Sequence, residues 1–292
     1  MKLAACAMLL LLLALGGSRG ASAALAAGGS PQTTDLTTPV RAGSKTTYFN
    51  LLRQLFPDLN ADGTAHNTVP VGSLSEPGER KPITGGIRVE VKPYWINSEG
   101  RRLLLMWVDV TAEGANEGTP YEGEAVLLAV FRLQPRPRLL DALEIKTDRF
   151  TGFWQDRPTF RLSPQSDALV VYSTHWNAGE SFDDIDMLFV DGGRFKKIAG
   201  LFTYNTQGCG AGFTETPSFR AVAEPGNKYP RVLLKVRLRR EPDGPECERR
   251  AAGYTRYYEG VYRWNHAARR YEGGSRQLER LDEFNRRRVG SP

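Results

Sequence analysis

The chain has 292 residues, of which 40% are hydrophobic and 25% are charged, with 30 glycines, 18 prolines and a formal net charge of +6. These proportions are typical of a globular protein and exclude a disordered, collagen-like or coiled-coil chain. At this length an all-β chain can build one continuous core, so one or two domains are expected.

The first 23 residues have the pattern of a signal peptide. Lys2 gives a basic start, residues 3–15 form an apolar run, and Ala21-Ser22-Ala23 supplies the small residues of a cleavage site. The apolar run is shorter than the roughly twenty residues that a membrane-spanning helix needs. We therefore predict cleavage after Ala23 and a periplasmic or secreted mature chain without a transmembrane segment.

A flexible leader and then a helix are predicted next. Residues 24–43 are rich in Ala, Gly, Ser, Thr and Pro, which indicates a flexible leader ahead of a single domain at 44–292. Ser44 is the predicted N-cap of the helix, and Pro57 is its predicted end. The apolar face of this helix comprises Tyr48, Leu51, Leu52, Leu55 and Phe56.

The segment after this helix has the first half of a calcium-binding loop. Its candidate ligands are Asp58, Asn60, Asp62 and Thr64. Position 12 of the loop is Val69 instead of a bidentate carboxylate, so a cation would need Glu76 or Glu79 as well. A simple turn rich in Asn, Asp and Gly explains the same residues. Apart from calcium, no cofactor is predicted.

Strands dominate the middle of the chain. Apolar and polar residues alternate at 87–92 and at 234–239, which indicates strands with one buried face. Unbroken apolar runs, which indicate strands buried on both faces, lie at 126–131, 169–172 and 187–190. The last run leads through Asp191-Gly192-Gly193 into an apolar segment at 195–198. The glycines supply the positive φ angles of a tight turn, so a β-hairpin is predicted there.

An internal repeat organises these strands. Pro158-Thr159-Phe160-Arg161 recurs as Pro217-Ser218-Phe219-Arg220, and each copy opens a strand followed by a longer apolar strand and a hairpin. Three four-stranded units are predicted, at about 87–147, 158–203 and 216–275. A closed ring normally needs four to eight blades. The predicted fold is therefore all-β and mainly antiparallel, with three propeller-like units in an open arrangement and short N-terminal and C-terminal helices.

The C-terminal part of the chain is basic and ends in a predicted helix. Residues 231–292 contain 16 basic and 9 acidic side chains. The helix is predicted at 275–288, with arginines at its C-terminal end, where the helix dipole favours cations. The basic side chains of residues 231–292 could bind phosphate-bearing envelope material or lipid headgroups. Alternatively, they form a solvated surface without a partner. No nucleic-acid-binding motif is present, so no nucleic-acid partner is predicted.

Two cysteines remain once the signal peptide is removed. Cys209 and Cys247 lie in Gly- and Pro-rich segments, and two cysteines in an oxidising compartment indicate one disulfide. The alternative is a metal site, but no histidine pair at zinc-ligand spacing lies nearby.

The densest polar cluster is predicted in a loop between two buried strands. Its members are His175, Trp176, Asn177, Glu180, Asp183, Asp184 and Asp186. An aromatic ring beside carboxylates can stack on a sugar ring, while the carboxylates accept hydrogen bonds from the sugar hydroxyls. Glu180 with Asp183 or Asp184 could also act as the acid and base of a glycoside hydrolase. A solvated loop is the alternative to both.

Three loose motifs carry a resemblance over most of the mature chain. They are Leu55-Phe56-Pro57-Asp58-Leu59, Ser173-Thr174-His175-Trp176-Asn177 and Tyr262-Arg263-Trp264-Asn265. With them the sequence resembles exported bacterial proteins of unknown function with propeller-like β repeats. The resemblance implies a periplasmic or secreted β protein and assigns no catalytic residues.

The residues lead to three functional hypotheses. The first is a non-enzymatic envelope or secreted protein that binds an unidentified glycan, other ligand or protein partner through the loops around residues 175–186. The second is a carbohydrate-active hydrolase that acts on envelope polysaccharide. The third is a structural component of a larger envelope assembly. The one Gly-x-Ser-x-Gly match, Gly16-Gly17-Ser18-Arg19-Gly20, lies in the predicted signal peptide, and the mature chain has neither this motif nor paired histidines, so no catalytic residue is assigned.

Overall fold

The computed structural model describes residues 33–113, 124–145, 148, 150–156, 158–177, 179–209, 212–243, 247 and 252–289. The predicted signal peptide lies outside these ranges. The described residues are mostly β, with 59% of them in strands and with two α-helices, and the sheets are largely antiparallel. The prediction of a mainly antiparallel β protein is confirmed at this level.

The first sheet has seven strands and follows the N-terminal helix α1 (Tyr48–Leu52). Its strands are β1 Thr64–Asn67, β2 Val71–Ser73, β3 Arg80–Lys81, β4 Thr84–Ser98, β5 Arg101–Ala112, β6 Glu124–Arg132 and β7 Arg138–Ile145. Their order is β1-β4-β5-β6-β7-β2-β3. All neighbours pair antiparallel except β2 and β7, which pair parallel through Gly72 and Leu143.

The second sheet has five strands and contains the predicted hairpin. Its strands are β8 Phe150–Phe153, β9 Phe160–Ser163, β10 Ser166–Asn177, β11 Glu180–Asp191 and β12 Arg194–Thr206. They lie in the order β12-β11-β10-β8, with β9 paired to β10. The hairpin between β11 and β12 turns at Gly192 and Gly193, which have φ angles of +58° and +79°. The predicted hairpin is confirmed.

The third sheet has four strands and is followed by the C-terminal helix α2 (Arg276–Val289). Its strands are β13 Thr214–Val222, β14 Arg231–Arg240, β15 Tyr254–Asn265 and β16 Arg270–Gly274, in that order. The three sheets therefore have seven, five and four strands, where the repeat predicted four in each unit. The repeated motif also differs in place, since Pro158 precedes β9 whereas Pro217 lies inside β13.

The sheets stack through hydrophobic cores on successive faces. One face of the first sheet packs on α1, with Val89, Val91 and Leu104 buried there. Its other face packs on the second sheet. The opposite face of the second sheet packs on the third sheet and on α2. Because the middle strands are covered on both sides, residues 126–131 and 187–190 are buried throughout, as their unbroken apolar runs predicted.

The N-terminal helix differs from its prediction at both ends. Its N-cap is Thr47, not Ser44: the Thr47 hydroxyl accepts the Asn50 N–H and the Asn50 side chain accepts the Thr47 N–H. This reciprocal pair satisfies two donors that the helix cannot pair internally. The helix ends at Leu52, before Pro57. Leu55 and Phe56 are nevertheless fully buried, because the turn that follows the helix packs on the same core.

The described part of the predicted leader packs on the first sheet. Leu36 and Val40 are buried in the core beside α1. The Thr34 N–H donates to the Val91 carbonyl at 3.0 Å. Residues 33–43 are therefore part of the packed structure, and folded structure begins earlier than the predicted domain boundary at residue 44.

Cys209 and Cys247 form the predicted disulfide, with their α-carbons 5.5 Å apart. The bond joins the chain before β13 to the segment between β14 and β15.

Replacing Cys209 and Cys247 together by Ser should lower the free energy of unfolding by up to about 4 kcal/mol, because the bond restricts a loop of roughly 39 residues in the unfolded chain. Urea unfolding of the wild type and the double variant measures this difference. Thiol labelling of the denatured, unreduced wild type should label neither cysteine; labelling of both would contradict the bond.

Candidate functional site

The predicted polar cluster lies on paired strands and not in a loop. β10 extends to Asn177 and β11 begins at Glu180, and these two residues are register partners. Only residues 178 and 179 connect the strands. The prediction of a loop was wrong because long extended strands can carry polar residues where a sheet projects beyond its core. As a result, the side chains of the cluster alternate between the two faces of the sheet.

Two faces are defined by the register of this hairpin. His175 pairs with Phe182, and Asn177 pairs with Glu180. These four side chains lie on one face of the sheet, which we call the histidine face. Asp184 and Asp186 lie on the same face. Trp176 pairs with Ser181, and Thr174 pairs with Asp183. These four side chains share the opposite face, which we call the tryptophan face. The cluster is thereby divided into two groups that the sheet separates.

The tryptophan face carries two exposed, stacked aromatic rings. The rings of Trp176 and Phe150 lie 4.5 Å apart between centroids with an angle of 9° between their planes. Phe150 is 50% exposed and Trp176 is 44% exposed. The two side chains come from neighbouring strands, since Phe150 is the register partner of Thr174. We call this pair the aromatic platform.

Polar groups lie beside the aromatic platform on the same face. Ser181, opposite Trp176, accepts a hydrogen bond of 3.4 Å from the Asn205 side chain of β12. Asp183 accepts a hydrogen bond of 3.2 Å from the Thr203 hydroxyl. Asp183 is two residues from Ser181 on β11, about 7 Å along the strand. The platform is therefore flanked by hydroxyl, amide and carboxylate groups.

Asp183 is a partly desolvated carboxyl group. Burial raises the pKa of Asp183, and the neighbouring Asp184 charge raises it further, against the hydroxyls of Thr174 and Thr203, which lower it. Carboxyl groups with a pKa raised by burial are common in binding and catalytic sites. Of the four carboxyl groups in the cluster, Asp183 lies on the same face as the aromatic platform, and its pKa is raised.

At the end of the hairpin, the histidine face is occupied by contacts within the protein. The Nδ1 atom of His175 lies 2.9 Å from an oxygen of Asp148, and its ring stacks on Phe182 with centroids 4.8 Å apart. The Tyr204 hydroxyl donates a short hydrogen bond to Glu180. Burial raises the pKa of Tyr204, and the Glu180 carboxylate adds to the effect. These contacts hold the end of the hairpin in place.

Asp184 and Asp186 line a cavity of about 590 Å³ between the second sheet and α2. Asp186 pairs with Lys197 at 2.5 Å on the sheet side. On the helix side Asp282 pairs with Arg286 at 2.8 Å. Much of the charge that lines the cavity is thus balanced inside it.

The carboxylates of the predicted hydrolase are not brought together. Glu180 and Asp183 lie on opposite faces of β11. Glu180 and Asp184 share the histidine face, but four residues of strand place their α-carbons about 13 Å apart. Glycoside hydrolases hold their two carboxyl groups about 5–9.5 Å apart. In neither case does the geometry of β11 place the two carboxylates side by side on one face.

The residues of the calcium-like segment form a hydrogen-bonded turn. Asp58 accepts the His66 N–H at 3.1 Å, and Asp62 accepts the Thr64 N–H at 3.0 Å. The Thr64 carbonyl accepts the Asn60 N–H at 2.8 Å. The additional carboxylates considered from the sequence, Glu76 and Glu79, both pair with Lys81. Within the described ranges, no group of three or more His, Cys, Asp or Glu side chains is arranged to hold a metal ion.

Sequence analysis missed Phe150 and Asp148, the partners of Trp176 and His175. Asp148 precedes the short strand β8 and Phe150 begins it, and this strand was not predicted. Phe150-Thr151-Gly152-Phe153 has aromatic residues at both ends, and this enrichment is the signal that could have indicated a strand. In the part of the chain that the structure covers, no helix has the length and apolarity to cross a bilayer.

Comparison with protein families, with curated proteins and with solved structures finds no match to this chain.

Proposed function

We propose that this chain is an exported, non-enzymatic binding protein that holds a glycan segment on the aromatic platform. The observation that carries the proposal is the stack of Phe150 and Trp176, two large rings that remain about half exposed at the end of the β10-β11 hairpin. Exposed rings of this size are costly in water, and their presence side by side favours a surface that is covered by a ligand.

The chemistry of the platform suits a sugar. The C–H face of a pyranose ring packs on an aromatic ring, while its hydroxyls need hydrogen-bonding partners at the edge. Ser181, Asn205 and Asp183 supply such groups beside the rings. Because Asp183 carries a partly desolvated carboxyl, it accepts a hydroxyl hydrogen bond with little further cost of removing water.

The scaffold and the location belong to the same proposal. The three stacked antiparallel sheets act as open propeller-like units that present the hairpin end. The apolar N-terminal run and the Ala21-Ser22-Ala23 site support export to the periplasm or the medium, where envelope glycans and disulfide-forming conditions are found.

Replacing Trp176 by Ala tests the proposal. Soluble peptidoglycan fragments, chitohexaose and maltohexaose are titrated into the mature chain by calorimetry and by tryptophan emission. We expect one of these glycans to bind, and the Trp176→Ala variant to bind it at least about ten-fold more weakly, since ring stacking and the apolar area it buries are both lost.

Tyr257 provides a matched control, since it is an aromatic residue that is 54% exposed on the third sheet. Tyr257→Ala should leave the affinity unchanged. The proposal fails if none of the three glycans binds at millimolar concentration, or if Tyr257→Ala weakens binding as much as Trp176→Ala does.

A further inference from the structure

A second groove lies between the third sheet and α2, away from the aromatic platform. It has a volume of about 410 Å³. Five arginines line it: Arg240, Arg256, Arg280, Arg287 and Arg288. Among the described residues that line it, none is acidic. We call this site the arginine groove.

The arginines come from both walls of the groove. Arg256 on β15 is the register partner of Leu238 on β14, and Arg240 is the register partner of Tyr254. These four residues therefore lie on one face of the third sheet. Arg280 lies on α2, which forms the other wall. Cations from separate elements thus converge on one space.

Aromatic rings hold two of these arginines without neutralising them. The guanidinium of Arg288 lies 5.0 Å from the Phe213 ring centroid and 4.8 Å from that of Phe284. The guanidinium of Arg256 lies 4.8 Å from the Tyr254 ring centroid. A ring face orients a guanidinium by a cation–π contact but leaves its charge and its N–H donors available.

Other basic residues of the same sheet are paired differently. Arg263 pairs with Glu224 at 3.2 Å, and Arg270 pairs with Glu272 at 2.8 Å. These ion pairs are what a solvated basic face is expected to contain. Arg256 and Arg288 of the arginine groove instead lie against aromatic rings.

Arg240 adds buried donors that lack a hydrogen-bond acceptor. Its Nε and Nη2 atoms are buried without a hydrogen-bond partner. The Asp243 carboxylate lies 3.6 Å from Nη2, beyond hydrogen-bond distance. The buried Glu215 carboxyl also interacts with Arg288 through its charge. Two buried donors of Arg240 therefore have no acceptor within hydrogen-bond distance.

We infer that the arginine groove binds a ligand that carries two or more phosphate groups. The planar fork of a guanidinium matches the oxygens of a phosphate, and several forks around one space match an anion of high charge. The exposed Phe284 ring and Tyr254 supply apolar surface for the part of the ligand that joins the phosphates. This site goes beyond the proposed glycan function and does not depend on it.

The test uses the mature chain with tripolyphosphate as the probe, titrated by calorimetry at about 150 mM salt. A variant with Arg256→Gln and Arg280→Gln should bind tripolyphosphate at least about ten-fold more weakly, because two charge-assisted contacts are removed. Both residues are exposed, so the variant is expected to fold. The control variant, with Arg263→Gln and Arg270→Gln, should retain the wild-type affinity within about two-fold, since both residues lie outside the groove.

Two further arms separate the possible ligands. Citrate, a tricarboxylate, should bind more weakly than tripolyphosphate. Sedimentation with vesicles of phosphatidylglycerol and phosphatidylcholine, reversed by tripolyphosphate, assigns the phosphates to lipid headgroups; binding of tripolyphosphate without sedimentation assigns them to a soluble ligand. The inference is overturned if tripolyphosphate does not bind at about 1 mM, if the control variant loses as much affinity as the groove variant, or if citrate binds as tightly.

Discussion

Replacing Asp191 by Ala should lower the free energy of unfolding by about 3 kcal/mol and the melting temperature by about 6–10 °C. Asp191 is 1% exposed at the end of β11. Its carboxylate accepts hydrogen bonds from Lys228 at 2.7 Å and from the Tyr229 hydroxyl at 2.8 Å. Removing it leaves a buried hydroxyl without its acceptor and separates two charged partners from their counter-ion.

The effect is large because Asp191 joins all three sheets. Lys228 also pairs with Glu99, at the turn between β4 and β5 of the first sheet, at 2.6 Å. Arg269, at the turn between β15 and β16 of the third sheet, pairs with Asp191 at 3.2 Å. One carboxylate thus holds loops of the first and third sheets against the second.

The pH dependence of this contribution follows from the pKa of Asp191. Burial opposes ionisation, but hydrogen bonds from Lys228, Tyr229 and Arg269 outweigh it and hold the pKa of Asp191 below its usual value. The contribution is therefore present at pH values above about 4 and is lost as the pH falls through the lower folded-state pKa. The destabilisation by Asp191→Ala should shrink on acidification below pH 4.

Thermal unfolding of the variant at pH 7 and below pH 4 measures both effects. Glu272 is a suitable control, because it pairs with Arg270 on the surface. Glu272→Gln should change stability by less than about 1 kcal/mol. An equally small effect of Asp191→Ala at pH 7 would show that the sheets do not depend on this junction.

Replacing Glu215 by Gln should stabilise the protein by about 3 kcal/mol at pH 8. Glu215 lies at the start of β13 and is 4% exposed. It accepts the Tyr204 N–H at 3.2 Å and the Asn285 side-chain N–H at 2.8 Å. Its second oxygen, Oε1, and the Oδ1 atom of Asn285 are both buried without a hydrogen-bond partner.

Burial explains the sign of the effect. It raises the pKa of Glu215 to about 7, although the hydrogen bonds from Tyr204 and Asn285 and the charge of Arg288 lower it. The unfolded chain releases the proton near pH 4.5, so it binds fewer protons than the folded chain between pH 4.5 and 7. The stability contributed by this site is complete below pH 4.5, falls as the pH rises to 7 and stays low above it.

The glutamine side chain of the Glu215→Gln variant would keep an acceptor for Tyr204 and add a permanent amide donor without a buried charge. Urea unfolding should therefore give equal stabilities for wild type and Glu215→Gln near pH 4.5 and a growing advantage of the variant up to pH 8. Glu283→Gln on the exposed side of α2 serves as the control and should show no such trend. A variant less stable than the wild type at pH 8 would mean that the folded protein depends on an ionised Glu215.

The elements that the sequence predicted correctly are those with a local signal. The alternation at 87–92 and the unbroken runs at 126–131 and 187–190 report which side chains are buried, because strand geometry gives each pattern a defined period. The turn at Gly192-Gly193 needs positive φ angles that glycine adopts without strain. The two cysteines required only the expectation of an oxidising compartment.

The site residues show the limit of such signals. Trp176 and Glu180 were recognised as candidates from their chemistry, but the pairing of Asn177 with Glu180 placed them on opposite faces of the sheet. A change of register by one residue would exchange those faces, and no local pattern in a polar strand end specifies it. Glu180 and Asp183 are three positions apart on β11, so the alternation of side chains along that strand places them on opposite faces in any register.

The amino-acid sequence alone determined a mainly antiparallel β chain with two terminal helices and one disulfide, because burial periodicity, turn chemistry and cysteine number are properties of short segments. Only the tertiary structure decided which distant residues meet. Phe150 stacks on Trp176, the Asn285 side chain donates to Glu215 across 70 positions, and Arg256 and Arg280 line the same groove. These contacts depend on strand register and on how α2 docks, which are set by the packing of whole sheets and helices.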